Sequence, residues 1–276
     1  MRVISSLKKL ATVVVCIVPV VGIGTVVAAE QEYSGEEIVS HCEYKNPGAD
    51  QTSVLSIVLI DKDGNQRKNE YRRLWKFYQG EKDVVDKMVL YTQFPPDAKG
   101  TGFMRWGFTS ESKKQADQWL YLPQLRKIRR VSVRDPGDSF LGSDLSYGDI
   151  DDRPVGADTH KYKGIEKHSG VEFYVVESTP IDIRDQYSKR ISWYAKTDSW
   201  EGCSRFKTEY FDRQGLLLKV AQLVWQRVGD AWIWDRVLVE NVQTRHRSVF
   251  QVTDVTVDVG LKDKEFTERA LKKGLK

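Results

Sequence analysis

The clearest indication of the fold is the stretch from residue 119 to residue 131, Trp-Leu-Tyr-Leu-Pro-Gln-Leu-Arg-Lys-Ile-Arg-Arg-Val. It joins an aromatic run to a strongly basic run across a proline, a residue that is rare inside central strands. Successive side chains of a strand point to opposite faces. Arg126 and Arg130 would therefore share one face with Ile128, and Arg129 would lie on the other. We predict two strands here, the second of which carries charge on both faces and cannot lie in an ordinary core.

The rest of the chain from Thr52 onward repeats this strand-like pattern. Short runs of β-branched and aromatic residues are separated by turn dipeptides such as Asp63-Gly64, and amphipathic patterns of three helical turns are scarce. Twelve strand candidates indicate a mainly β fold, a large curved antiparallel sheet or barrel. The candidates are residues 53–61, 66–78, 87–94, 102–109, 118–122, 125–134, 171–178, 189–196, 204–212, 216–228, 231–244 and 250–259.

Helical patterns occur in two charged segments. Residues 34–41 begin with Ser34 and carry Glu37 three positions later, which is the arrangement of a capping box. Residues 263–273 place Asp263 at a suitable N-cap position and Lys272 and Lys273 in the last turn, where positive charge favours the helix dipole. We therefore predict a short N-terminal helix and a charged C-terminal helix.

A third segment, residues 137–152, is too rich in Gly, Ser and Asp for a strand yet carries several large apolar side chains. We expect a loop or short helix that lays these side chains over an apolar surface. Its aspartates are expected to be solvated or to cap local backbone N–H groups. The apolar residues are Phe140, Leu141, Leu145, Tyr147 and Ile150.

Residues 1–29 have the three parts of a secretory signal peptide. Arg2, Lys8 and Lys9 precede an uncharged apolar run, which ends in Val27-Ala28-Ala29. We predict cleavage after Ala29 and export to the periplasm. An uncleaved N-terminal anchor is the alternative, and it would leave the same domain in the same compartment. No repeat or Pro-rich linker divides residues 30–276, so we predict that they form one domain.

The charge balance of the exported chain gives no reason to expect nucleic-acid binding. The whole chain holds 43 basic and 39 acidic residues, and removal of residues 1–29 takes away three basic and no acidic ones. The remaining 40 basic and 39 acidic residues give a net charge of +1. A nearly neutral domain has no overall field to attract nucleic acid.

Catalytic and metal-binding patterns are weak throughout the sequence. The four histidines are scattered, without the spacing of metal ligands, and none accompanies a Gly-x-Ser-x-Gly motif. We therefore predict a protein that is not an enzyme and that needs no cofactor or metal.

Cys42 and Cys203 are the two cysteines that would remain after cleavage. An even count in an oxidising compartment is compatible with a disulfide, which would close a long loop and restrict the unfolded chain. Two separate buried thiols are equally compatible with the sequence.

The basic strand candidate has two interpretations. It could be an edge strand whose charges prevent aggregation and pair with the Asp-rich segment that follows. Alternatively, Arg126, Arg129 and Arg130 could contact an anionic head group or a partner protein at the mouth of an apolar cavity, because guanidinium groups bind phosphate and carboxylate bidentately.

Three blocks of this region resemble the outer membrane lipoprotein-sorting proteins related to the periplasmic lipoprotein carrier LolA. They are Trp119-Leu120-Tyr121-Leu122-Pro123, Arg126-Lys127-Ile128-Arg129-Arg130-Val131 and Ser139-Phe140-Leu141-Gly142-Ser143-Asp144-Leu145-Ser146-Tyr147. Gly148 departs from the acidic residue that the family pattern would have after the tyrosine. The resemblance implies a half-open antiparallel β-barrel of about 11 to 12 strands, with short helices that cover an apolar cavity.

The same resemblance implies a carrier or chaperone that binds the acyl chains of a lipoprotein or lipid and helps to move them toward the outer membrane. Its partners would be an inner-membrane transporter and an outer-membrane acceptor. The alternative is an accessory protein that carries no lipid and docks on an inner-membrane lipid exporter. The ligand-binding or lid residues implied by the family blocks and the apolar pattern are Trp119, Tyr121, Leu122, Phe140, Leu141, Leu145 and Tyr147.

Overall fold

A computed structural model describes residues 33–43, 45–112, 114–131, 137–151 and 153–274. The signal peptide predicted for residues 1–29 lies outside the described residues. None of the helices in the described part of the chain is long and apolar enough to cross a membrane.

The described residues form one antiparallel sheet of thirteen strands. Its order is β6-β5-β4-β3-β2-β1-β13-β12-β11-β10-β9-β8-β7, so β6 and β7 are the two edges and the sheet does not close. This half-open arrangement confirms the predicted fold. The strands are β1 Asp50–Ile60, β2 Gln66–Phe77, β3 Val84–Phe94, β4 Gly102–Phe108, β5 Asp117–Leu122, β6 Lys127–Val131, β7 Asp158–His168, β8 Val171–Pro180, β9 Lys189–Ala195, β10 Arg205–Phe211, β11 Leu217–Val228, β12 Ala231–Asn241 and β13 His246–Val257.

The predicted strand count was one short, because β7 was missed. This strand is mostly polar and exposed, and Tyr162 is its only aromatic residue besides the two histidines at positions 160 and 168. An edge strand pairs on one side only, and polar residues protect its free side. The alternation of apolar and polar residues that predicted the other strands is therefore too weak to predict β7.

The N-terminal helix α1, Gly35–Glu43, begins with the predicted capping box. The Ser34 N–H donates to Glu37 Oε2 at 2.7 Å, and the Glu37 N–H donates to Ser34 Oγ at 3.1 Å. Helix α2 spans Tyr147–Ile150, as expected for a segment predicted to be a loop or short helix. Short 3-10 turns occupy Glu81–Asp83, Pro96–Ala98, Ser110–Ser112, Pro123–Leu125, Phe140–Gly142 and Val155–Ala157.

The C-terminal segment is helical but is not the single helix predicted from Asp263. A 3-10 turn, Asp263–Phe266, is followed by α3, Glu268–Lys273. Thr267 is the N-cap of α3, since its Oγ1 accepts from the Ala270 N–H at 3.2 Å. The Asp263 carboxylate instead accepts hydrogen bonds from Lys76 Nζ at 2.8 Å and Tyr78 OH at 2.9 Å. Contacts with β2 and its following residue therefore replace the predicted capping role.

The sheet curls around one of its faces, which we call the inner face. Leu90 and Phe103, on β3 and β4, belong to the same buried cluster as Tyr210 and Ala221 on β10 and β11. One buried cluster therefore runs along the inner face from β4 to β10. The opposite, outer face of β2–β5 has its own apolar cluster, which includes Phe266 of the C-terminal segment.

Helix α1 packs against the inner-face side chains of β8 and β9. Ile38 and Val39 are buried there with Tyr174 and Tyr194. A disulfide joins Cys42 of α1 to Cys203, which lies between β9 and β10 and is 161 positions away in sequence. The helix is thereby attached covalently to the sheet.

Candidate functional site

An apolar cavity of about 230 Å³ lies inside the curled sheet. Phe140 and Ile150, from the segment that follows β6, contribute to its wall, so this segment covers the cavity. We call residues 137–151 the covering segment. The apolar residues that the sheet contributes are Leu55, Trp75, Met88, Trp225, Trp232, Ile233, Trp234, Phe250 and Val252.

The covering segment is packed into the inner face through its aromatic side chains. Phe140 is only 3% exposed, and its ring centre lies 5.9 Å from that of Phe103 and 5.5 Å from that of Tyr147. Leu145 is also buried, and Leu141 is half-buried against the same cluster. All four predicted lid residues therefore contact the inner-face core.

Asp144, Asp149 and Asp151 of the covering segment contact the sheet, so the expectation of solvated side chains is wrong for these three. The expected local cap is present, since the Ser146 N–H donates to Asp149 Oδ2 at 2.7 Å. Asp149 Oδ2 accepts from Lys219 Nζ at 2.6 Å, and Asp149 Oδ1 accepts from Tyr187 OH at 2.9 Å. Both members of the Lys219–Asp149 pair are almost fully buried. Burial and the adjacent Asp149 carboxylate raise the pKa of Tyr187 far above its ordinary value, so the phenol remains a hydrogen-bond donor.

Asp144 makes a second attachment, to β13. Its Oδ2 accepts from Ser248 Oγ at 2.5 Å and lies 2.7 Å from His246 Nδ1. Its backbone N–H donates to Ser248 Oγ at 2.9 Å, and Lys219 Nζ donates to its carbonyl oxygen at 2.7 Å. The middle of the covering segment is therefore held by directional polar contacts as well as by apolar packing.

The third attachment is the buried guanidinium of Arg105 on β4. Arg105 Nη1 donates to Asp86 Oδ1 at 2.7 Å, and Nε donates to Asp151 Oδ1 at 2.9 Å. Burial alone would lower the pKa of Arg105, but the two carboxylates outweigh burial and raise it. Gly107 leaves room for this cluster, since a Cβ there would lie 2.2 Å from Asp86 Oδ1.

Arg105 and Asp86 separate the apolar cavity from a polar one of about 260 Å³, because both residues line the two cavities. The polar cavity also contains Gln118, whose buried Oε1 has no hydrogen-bond partner among the described residues. It shares Phe108 and Pro154 with a wider, more open cavity of about 840 Å³. The polar cavity therefore lies on the other side of the Arg105–Asp86 pair from the apolar cavity, next to the wider one.

Arg73 on β2 is a cation in the wall of the apolar cavity. Its Nη1 donates to Gln51 Oε1 at 2.7 Å and lies 3.5 Å from Ser53 Oγ. Burial lowers its pKa to about 10, with the Asp86 charge opposing the change. Arg73 is still protonated at neutral pH.

The predicted binding residues of β5 do not all belong to this site. Trp119 and Tyr121 lie on the outer face, where they pack with the cluster that contains Phe266 and Leu271. Leu122, one position further along, lies on the inner face and is half-exposed. The structure therefore separates Trp119 and Tyr121 from the four predicted lid residues of the covering segment, because side chains alternate along the strand.

The three predicted basic residues are also not brought together. Arg126 is in the left-handed turn before β6, Arg129 is on the inner face of this edge strand, and Arg130 is on the outer face, where it pairs with Asp117. None of the three lines any of the cavities described above. The edge position of β6 fits the first of the two interpretations, in which the charges prevent aggregation at the edge of the sheet.

Sequence reasoning missed the cations that matter most to the geometry, namely Arg73, Arg105 and Lys219. The available signal was a basic residue inside a strand candidate, at a position whose neighbours two residues away are apolar. Arg105, for example, shares its face with Phe103. This pattern indicates that a charged side chain lies on an apolar face of the strand. It does not show whether that face is on the inside of the curled sheet.

The half-open sheet with its internal cover defines the class as a LolA-like, lipoprotein-sorting fold, which confirms the family resemblance. An outer membrane lipoprotein-sorting protein domain from Vibrio parahaemolyticus is 26% identical, with a TM-score of 0.74 over 86% of this chain and 98% of that one. A DUF1329 family protein from Desulfovibrio piger is 23% identical, with a TM-score of 0.76 over 86% and 97% of the two chains. A LolA superfamily protein from Nitrosomonas europaea is 19% identical, with a TM-score of 0.63 over 86% and 99%.

A family model described as "Uncharacterized protein" matches residues 85–273, and the chain belongs to that family. This range runs from β3 to α3 and includes the covering segment and Arg105. No curated protein matches the chain in sequence.

Proposed function

We propose that this protein is a periplasmic, non-enzymatic carrier that binds the acyl chains of a lipid or lipoprotein inside the curled sheet and helps to move them toward the outer membrane. The observation that carries the proposal is the apolar cavity beneath a cover that is attached by polar contacts. Each buried CH₂ of an acyl chain contributes about 0.8 kcal/mol, so such a cavity binds lipid without any reacting group.

The volume of the cavity indicates how a ligand would enter. At about 230 Å³ it is smaller than the roughly 300–1,000 Å³ of common ligand sites. A long acyl chain therefore requires the covering segment to move, and Phe140 would give up its place to the chain. The acyl chain would make the apolar contacts that Phe140 gives up. The exchange of one for the other therefore costs little hydrophobic free energy in either direction.

Three features support the periplasmic setting and the transport role. Residues 1–29 have the pattern of a signal peptide, and the Cys42–Cys203 disulfide fits an oxidising compartment. The related domain from Vibrio parahaemolyticus is described as lipoprotein-sorting. Transfer would need a donor in the inner membrane and an acceptor in the outer membrane, and Arg126 and Arg129 are exposed cations available for such contacts.

The test is extraction and mass spectrometry of lipid from the protein isolated from the periplasm, followed by titration with a fluorescent long-chain fatty acid. We expect an acyl-bearing ligand in the isolated protein and saturable probe binding at one site. Leu141→Glu should weaken binding while the β-rich circular-dichroism spectrum is retained. Ile183→Glu is the matched control, since Ile183 is 96% exposed in a loop. If the isolated protein contains no lipid and binds no probe, the result would favour the alternative function, an accessory protein that carries no lipid and docks on an inner-membrane lipid exporter.

A further inference from the structure

Arg73 is placed where an apolar cavity would ordinarily have an aliphatic side chain. On the inner face of β2 it follows Tyr71 and precedes Trp75, and its neighbours across the strands are Ser53 and Leu90. Leu90 is fully buried. A cation at this position must give up much of its hydration, which is costly unless another charge compensates it.

The hydrogen-bond partners of Arg73 are neutral. Gln51 is 3% exposed and is held in place by its own amide, which donates from Nε2 to the Pro47 carbonyl at 2.6 Å. Its Oε1 is therefore fixed in position to accept from the Arg73 guanidinium. Gln51 orients the cation but supplies no negative charge.

The nearest acidic group is already engaged elsewhere. Asp86 Oδ1 accepts from Arg105, and Asp86 Oδ2 accepts from Trp75 Nε1 at 2.7 Å. In the part of the chain that the structure describes, no carboxylate oxygen lies within 4.0 Å of the Arg73 guanidinium. The wall therefore contains a positioned cation without a close counter-charge.

Displacement of the covering segment would increase this imbalance. In the closed form, Arg73 and Arg105 face the carboxylates of Asp86 and Asp151. Asp151 belongs to the covering segment and would leave with it. Two guanidinium groups would then face one carboxylate, an excess of one positive charge beside the apolar wall.

We propose that the ligand of this cavity is an anionic amphiphile, whose carboxylate or phosphate pairs with Arg73 while its acyl chain lies against the apolar wall. The inference rests on the proposed carrier function and names the chemical class of its ligand. A guanidinium suits either oxyanion because it can donate two parallel hydrogen bonds. The polar cavity beyond Arg105 provides space for the rest of a head group on the side that leads to the surface.

The experiment compares probes that have the same acyl chain and differ in charge. One pair is a fatty acid and its alcohol, and the other is lysophosphatidic acid and monoacylglycerol. The wild-type protein should bind the anionic member of at least one pair about tenfold or more tightly than the neutral member, the range of a charge-assisted hydrogen bond. The pair with the larger preference identifies carboxylate or phosphate as the recognised group.

Arg73→Met keeps the length of the side chain and removes its charge. It should abolish most of the preference, because the affinity for the anionic probes should fall far more than the affinity for the neutral ones. Arg72→Met is the matched control, because Arg72 is adjacent to Arg73 on the same strand and lies on the outer face. This variant should retain the preference. Arg73→Gln serves as a second neutral variant if the methionine variant does not fold.

Each outcome separates the two proposals. If the wild type binds neutral and anionic probes equally, the anionic class is wrong. If the Arg73 variant retains the preference, Arg73 is not the group that recognises the anion, and the proposal is wrong. The carrier function stands in both cases. If the wild type binds no probe of either kind, the carrier function itself is wrong.

Discussion

The two segments that cover the sheet differ in how far their polar contacts are buried. The C-terminal segment, residues 261–274, covers the outer face with Phe266 and Leu271, both fully buried. Leu271 packs so closely that a Cβ at Gly102 would lie 2.6 Å from its Cδ1. The C-terminal segment also has an ion pair, Lys76–Asp263, but this pair is partly exposed. The covering segment on the inner face likewise buries apolar side chains, but its Lys219–Asp149 ion pair is almost fully buried, and Asp144 and Asp151 make further polar contacts with the sheet.

This difference indicates which cover can be exchanged. The apolar contacts of Phe266 have no substitute in water, so loss of the outer cover costs its full burial. Phe140 is also buried in the inner cover, but an acyl chain in the cavity would replace its apolar contacts. The net contribution of a hydrogen bond or buried ion pair is small, because water or a polar ligand group can replace the partner once the site opens. We therefore interpret the outer cover as permanent and the inner cover as exchangeable.

The largest expected effect is on stability, from Phe266→Ala. Removal of a fully buried aromatic side chain typically costs about 3–5 kcal/mol, and this loss should appear as a lower midpoint in urea denaturation. Leu216→Ala, at a site that is 63% exposed, should change the free energy of unfolding by less than about 0.5 kcal/mol. If Phe266→Ala were as mild as this control, the outer cover would not be permanent.

Removal of the disulfide should have the next largest effect. Cys42→Ser with Cys203→Ser opens a link across 161 positions, and loss of a native disulfide typically costs about 2–5 kcal/mol. Urea denaturation of the double variant and of the reduced wild type should give similar losses. Since α1 and the covering segment are separate elements, acyl-probe affinity at low denaturant should change little. A loss of binding equal to the loss of stability would mean that α1 belongs to the exchangeable cover.

Lys219→Met should have a smaller effect on global stability and a larger one on the covering segment. The substitution leaves Asp149 buried without its cation, and the segment can relieve this cost by opening. Amide hydrogen exchange in residues 137–151 should accelerate about tenfold or more, while exchange in β3 and β4 stays close to wild type. Lys207→Met, which breaks an ion pair on the other face of the sheet, is the control. Unchanged exchange in the covering segment would show that apolar packing alone holds it.

The sequence predicted most of the strands because their evidence is local. Alternation over five or more residues identified twelve of them, and it correctly placed Arg129 and Arg130 on opposite faces. It did not tell which face is interior, because this depends on segments distant in sequence. Trp119 packs beneath the C-terminal segment and Phe140 packs inside the sheet, although both had been expected in one binding set. Arg73 was missed for the same reason, since its burial is a property of the whole curled sheet.

The smallest expected effect on the molecule itself comes from Arg126→Glu with Arg129→Glu on the exposed edge. Such surface substitutions usually change the free energy of unfolding by less than about 0.5 kcal/mol each, and neither residue lines the cavity, so binding of the acyl probe should be unchanged. If the edge contacts a partner, transfer of bound probe to inner- or outer-membrane vesicles that contain their native proteins should slow several-fold at low salt. The slowing of transfer should be smaller at high salt, because exposed charges are screened there.

The control is Lys272→Glu with Lys273→Glu, which changes the net charge by the same amount on the exposed side of α3. Equal slowing in both double variants would indicate a general charge effect, and unchanged transfer would leave the edge cations with only a protective role.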